Sequence, residues 1–168
     1  MDAIEELANL LKDRPFFALF KKDELLDILT FAVVEHVSFG KYVFKEGDEA
    51  KDFYFVFSGK FKMTKYVDGK EIALRTILEG NHFGEQCLFE NTPYVSSVIS
   101  SGDSILIRLP KEEFTKYIEN KPEVTDYIKD YIKNMALNNF IRLATGFGAK
   151  VPLKHLTLLI QNLKKIRR

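Results

Sequence analysis

Between Lys60 and Leu78 two alternating runs of residues meet at Asp68-Gly69. In the first, Phe61, Met63 and Lys65 point one way, and Lys60, Lys62 and Thr64 the other; in the second, Ile72, Leu74, Ile77 and Leu78 hold the apolar positions. An Asp-Gly pair tolerates the positive φ angles of a two-residue turn whose twist matches that of its strands. This stretch is therefore predicted to be a β-hairpin. A hairpin with one apolar face needs further strands to cover it, and the flanking sequence offers them. Val37, Phe39, Tyr42, Val43 and Phe44 surround a turn at Gly40, and Glu46-Gly47-Asp48 marks another. Phe53 to Phe57 is an unbroken aromatic and β-branched run ended by Ser58-Gly59. After Glu79-Gly80-Asn81 and the segment Gly84 to Pro93, strands resume at Val95 to Ile99 and Ile105 to Leu109. Turns roughly 8–12 residues apart predict an antiparallel sandwich or barrel over residues 33–110.

Both flanks change to helical periodicity. Residues 1–32 carry Ile4, Leu7, Leu10 and Leu11 at helical spacing, a break at Arg14-Pro15, then Leu25, Leu26, Ile28 and Leu29 behind the acidic turn Asp23-Glu24. Residues 111–168 begin with Lys111-Glu112-Glu113 after Pro110. A long helix follows from Pro122 through Val124, Ile128, Tyr131, Met135 and Ile141, then Gly146-Phe147-Gly148 and a last helix from Pro152. That last stretch echoes Phe20 to Leu29, as the start of a second copy of the same module would, in a fragment of a longer protein.

Composition narrows the function classes. With one cysteine, Cys87, the chain has no internal disulfide or cysteine-built metal site, and it suits a reducing, cytoplasmic setting. His36, His82 and His155 are too scattered for a metal cluster. The N-terminus is acidic and unlike a signal peptide, and no window is apolar for long enough to span a membrane. From Tyr131 onward the chain holds eight basic residues and no acidic one, so the first 130 residues, with 17 basic and 24 acidic side chains, carry −7. A basic tail reads as a solvated helix face, a helix docked on the acidic body, or a surface for an acidic partner. Lys164-Lys165-Ile166-Arg167-Arg168 is too short to indicate nucleic acid. No Ser-His-Asp order, paired-carboxylate motif, P-loop or metal-ligand spacing is present. The expectation is a binding module, not an enzyme, and no cofactor.

The chemistry is concentrated in Phe83-Gly84-Glu85-Gln86-Cys87-Leu88-Phe89-Glu90-Asn91-Thr92-Pro93-Tyr94-Val95-Ser96-Ser97-Val98. Gly84-Glu85 is predicted to begin a short helix, whose unpaired N–H groups would suit an anion. Glu85 repels an anion but can accept from sugar hydroxyls, or it only caps its own helix. Ser96 and Ser97 add hydroxyls on the returning strand. Cys87 reads as a half-buried cassette residue before a redox sensor, since no neighbouring His or Lys lowers its pKa. Phe53, Phe55 and Phe57 read as core before base-stacking platform.

This segment resembles the phosphate-binding cassette of the cyclic nucleotide-binding domain family, found in catabolite-activator proteins, protein kinase regulatory subunits and gated channels. That cassette runs Phe-Gly-Glu, about seven residues, then Pro-Arg-Ala-Ala-Thr/Ser-Val, and here Gly84, Glu85, Leu88, Pro93, Ser97 and Val98 hold their places. Glu46-Gly47-Asp48-Glu49-Ala50, Phe53-Tyr54, Val56 and Gly59-Lys60-Phe61 keep the spacing of the family's early strands, with Lys51 where Asp is usual. The resemblance covers about residues 16–141. It implies a mainly β fold with flanking helices: an eight-stranded antiparallel, jelly-roll-like β-roll, N-terminal helices, and C-terminal helices acting as lid and hinge. It also implies a ligand site at Phe83, Gly84, Glu85, Gln86, Cys87, Tyr94, Val95, Ser96 and Ser97, with Glu85 on the ribose 2′-hydroxyl.

One position departs from the pattern. Tyr94 stands where the family's Arg meets the cyclic phosphate. A charged hydrogen bond is worth about 1.5–3 kcal/mol, so its loss alone predicts roughly ten- to a hundredfold weaker binding of cAMP or cGMP. Three readings stand side by side: a pocket filled by Tyr94 or a C-terminal side chain, an uncharged ligand such as a nucleoside, or another cation, such as Arg75, on the phosphate. The expected function is a regulatory module that relays ligand or partner occupancy through its C-terminal helices to its own downstream effector domain or a partner protein. The alternatives are a nucleoside or other small-molecule sensor, and a ligand-free interaction or dimerisation domain, as in the N-terminal part of a transporter or kinase regulator. The apolar stripe of helix 122–143 could form a homodimer seam.

Overall fold

The computed structural model describes residues 2–146. The expected last helix from Pro152 and the basic run at 164–168 lie outside the described residues. Helix α1 (Ala3–Leu11) carries Glu5 and Glu6 in its first turn, where a helix favours negative charge. It is followed by a 3-10 turn (Phe17–Leu19) and by α2 (Lys22–Phe31). At the start of α2 the Glu24 carboxylate accepts from the Lys21 N–H at 2.8 Å, satisfying a donor the helix itself cannot.

Eight strands follow: β1 (Val33–Val37), β2 (Tyr42–Phe44), β3 (Asp52–Ser58), β4 (Lys60–Val67), β5 (Lys70–Leu78), β6 (His82–Phe83), β7 (Ser97–Ser100) and β8 (Ser104–Pro110). They form two antiparallel four-stranded sheets, ordered β1-β8-β3-β6 and β2-β7-β4-β5. A second 3-10 turn (Glu85–Leu88) interrupts the strands, and α3 (Lys111–Ile118) and α4 (Pro122–Gly146) close the described chain. The expected hairpin forms at Asp68-Gly69, both residues at positive φ (50° and 78°).

The unbroken run in β3 has a physical reason: both of its faces are covered. Phe53 and Phe55 pack with Phe16, Phe17, Ile107, Phe114, Val124 and Ile128 beneath the helices. Tyr54 and Val56 turn into the roll with Phe44, Phe61, Met63, Ile77, Phe83 and Val98. Phe16 is the hub of the first cluster, with edge-on or tilted contacts to Phe17, Phe20, Phe53 and Phe114. Gly59 needs its glycine on two counts. Its φ is +95°, and a Cβ there would lie 2.1 Å from the Ser104 Oγ that accepts the Lys60 N–H.

Two local expectations change. Thr64, expected outward with Lys60 and Lys62, is buried. It sits between Ser97 and Ala73 at a register shift: Met63 faces Arg75 but Thr64 faces Ala73, so Leu74 is an extra residue in β5 and the strict alternation breaks there. The strand expected from Val95 begins at Ser97. Before it, the Tyr94 N–H is held by the Asp48 carbonyl, and the Val95 carbonyl accepts from Lys65 Nζ.

Candidate ligand-binding site

A cavity of about 220 Å³ opens between the second 3-10 turn, β4, β5 and α4. Gly84, Glu85, Gln86, Cys87, Tyr94, Val95 and Ser96 line it, so seven of the nine residues singled out in the sequence converge here. Phe83 and Ser97 do not. The Phe83 ring is buried in the roll, stacked on Tyr54 at 5.2 Å, and the Ser97 hydroxyl accepts the Glu46 N–H at 2.8 Å. Gly84 enters the turn at φ +78°, with Asp52 O only 3.2 Å from where a Cβ would stand. That left-handed step lets the chain leave β6 and place Glu85 at the head of the turn.

Glu85 is 6% exposed, and its Oε2 lies 3.3 Å from His82 Nδ1. Cys87 is buried behind it, with Sγ 3.5 Å from the Asp52 carbonyl; loss of water pushes its thiol up to about 12, so it is an inert packing residue. Gln86 spends its amide on Glu90 at 2.9 Å.

Tyr94 is committed elsewhere. Its ring lies parallel on Phe44, with centroids 3.6 Å apart and planes within 7°. Its hydroxyl donates to the Asp52 carbonyl at 2.7 Å and accepts the Asp52 N–H at 3.3 Å. Burial raises its pKa, so it stays a neutral phenol. Its one proton is already given to backbone, and it offers an anion neither charge nor a spare donor.

A cation does reach the cavity. Among the described residues Arg75 on β5 is the one basic side chain lining it. Its Nη1 donates to Tyr131 Oη at 2.9 Å and its Nη2 to the His82 carbonyl at 3.4 Å, while its buried Nε has no partner. Helix α4 roofs the cavity with Ile132, Met135, Ala136 and Asn139. These four, and His82, escaped sequence reasoning. Helical spacing places Met135 on an apolar stripe without saying what the stripe covers.

The description "Cyclic nucleotide-binding domain" belongs to the family model that matches residues 34–121. That is more than half of the chain, which therefore belongs to the cyclic nucleotide-binding domain family. Human cGMP-dependent protein kinase 2 is 25% identical over 134 residues, 78% of this chain but 18% of the kinase, so the chain spans about a fifth of that relative's length. Among solved structures, the sensor domain of the transcriptional regulator DNR from Pseudomonas aeruginosa superimposes with a TM-score of 0.71 at 22% identity, covering 91% of this chain and 99% of the other. The regulatory subunit of a cAMP-independent protein kinase A from Trypanosoma cruzi, bound to guanosine, gives 0.69 at 21% identity, covering 89% and 53%. These two likenesses support the β-roll fold. Among the described residues no helix is long and apolar enough to cross a membrane.

Proposed function

We propose that this chain is a regulatory module whose cavity takes a purine ribonucleoside, with a 6-oxopurine preferred, and relays its occupancy through α4. The observation that carries the reading is the state of Tyr94: its hydroxyl is consumed by Asp52, so the family's phosphate partner has no substitute at that position. Glu85, buried at the cavity wall, remains a suitable acceptor for ribose hydroxyls. Arg75 lines the cavity; turned from Tyr131 and the His82 carbonyl, its guanidinium suits a base that presents acceptors on its Hoogsteen edge, because an arginine pairs with O6 and N7 of an oxopurine and is repelled by the amino group of adenine. The guanosine-bound and cAMP-independent character of the T. cruzi relative is in keeping with this reading. Relay requires that ligand bind one position of α4 better than another, and α4 supplies four residues of the cavity roof.

The test is calorimetric titration of the chain with guanosine, inosine, adenosine, cGMP and cAMP. Guanosine and inosine are expected to bind, adenosine about tenfold more weakly or worse, and each cyclic nucleotide no more tightly than its nucleoside. Glu85→Ala should abolish binding, and Arg75→Ala should bring adenosine and guanosine level. A cyclic nucleotide bound tenfold better than its nucleoside would overturn the phosphate-blind reading. Silence from all five would favour a ligand-free interaction domain.

A further inference from the structure

His82 is 2% exposed and sits at the junction of everything that the cavity and its roof share. Its Nδ1 faces Glu85 Oε2 at 3.3 Å. A carboxylate only accepts, so the proton is assigned to Nδ1 from that bond. Its Nε2 is buried and has no partner. Its ring lies 4.1 Å from the ring of Tyr131 and 6.1 Å from that of Tyr127, both on α4, and it meets Phe16 and Phe53 on its other sides. Its carbonyl accepts from Arg75 and from Tyr131 Oη at 3.3 Å. A buried imidazole with one orphaned nitrogen is a costly way to fill an apolar gap that a phenyl ring would fill without penalty.

We propose that His82 is a positioning residue that makes the placement of the Glu85 carboxylate and the docking of α4 a single event. One end of the imidazole fixes the acceptor that meets the ligand. The ring face fixes Tyr131 and Tyr127 on the roof helix. A ligand that draws Glu85 therefore turns the platform on which α4 rests, and α4 in turn holds Glu85 aimed into the cavity. The ligand half of this inference rests on the nucleoside reading above; the α4 half stands without any ligand.

The experiment has two arms on the whole chain. In the first, hydrogen exchange of the α4 amides around Tyr127 and Tyr131 is followed without ligand. Glu85→Leu and His82→Phe are each expected to speed exchange about tenfold, and the double variant no more than either single one, because each removes one partner of the same hydrogen bond. Unchanged α4 exchange in Glu85→Leu, which removes the acceptor 3.3 Å from His82, would overturn the proposal. In the second arm, His82→Phe should weaken guanosine binding about tenfold. His82→Asn, whose amide N–H replaces the Nδ1 donor, should stay within about threefold of the parent chain. Equal binding by His82→Phe and the parent chain would overturn the proposal even if α4 responds. A parent chain that binds no guanosine would sink the nucleoside reading alone, and the exchange arm would still decide the role of His82.

Discussion

Replacing Tyr94 by arginine separates the two things this position does. The phenol's pair of hydrogen bonds to Asp52 contributes about 1 kcal/mol net. Its parallel stack on Phe44 adds about 0.5–1.5 kcal/mol beyond the area it buries. Tyr94→Arg should therefore destabilise the fold by about 2 kcal/mol, or roughly 4–8 °C in Tm for a chain of this size. Against that loss, the guanidinium restores a charged partner for phosphate, worth about 1.5–3 kcal/mol. Affinity for cGMP should then rise by about ten- to a hundredfold over the parent chain, and affinity for guanosine should stay level. Differential scanning calorimetry reads the first effect and isothermal titration the second. A variant as stable as the parent would show that the Asp52 bonds and the stack contribute nothing. A variant that binds guanosine and cGMP equally would show that residue 94 does not face the phosphate of a bound nucleotide.

Two further outcomes follow from the fold. Gly59→Ala should cost more than about 3 kcal/mol in urea unfolding, since a Cβ would stand 2.1 Å from Ser104 Oγ and 2.7 Å from Ser104 Cα on a backbone at φ +95°; a loss under about 1 kcal/mol would mean that β3 and β8 separate easily there. Burial raises the Cys87 thiol from 9.0 to about 12 and shifts Tyr54 and Tyr94 upward as well. The folded state thus keeps neutral groups that the unfolded chain ionises, so this stability is complete below about pH 9 and is lost as the pH climbs beyond it. Urea midpoints at pH 8 and at about pH 10.5 should differ, with the higher pH weaker, and equal midpoints would contradict the burial of these groups.

How far the sequence could be read depended on whether a signal was local. Asp68-Gly69 announced its hairpin because turn chemistry is a property of two adjacent residues. The cassette announced seven of the cavity's residues because they follow one another along the chain. What stayed hidden was partnership across strands. Nothing adjacent to Tyr94 says that Phe44 lies beneath it or that Asp52 takes its hydroxyl. Likewise nothing adjacent to Ser97 says that its Oγ accepts the Glu46 N–H. His82 carried no motif at all; its meaning comes from Tyr131, 49 residues away. Thr64 was misplaced because alternation counts residues in one strand, whereas the extra residue lies in its neighbour.

That extra residue, Leu74, divides the hairpin into two halves of opposite phase. From Arg75 to Leu78 the side chains keep time with the inner part of β4, so Arg75 shares a face with Met63 and both line the cavity. From Lys70 to Ala73 they keep time with the tip, where Ile72 faces Lys65. The bulge works as a clutch. Residues can be added or removed at the Asp68-Gly69 end, and the outer half slips without turning Arg75 out of the cavity. Excision of Leu74 itself would engage the two halves, so that a tip rigidly in register would contend with the cavity over which way the guanidinium points.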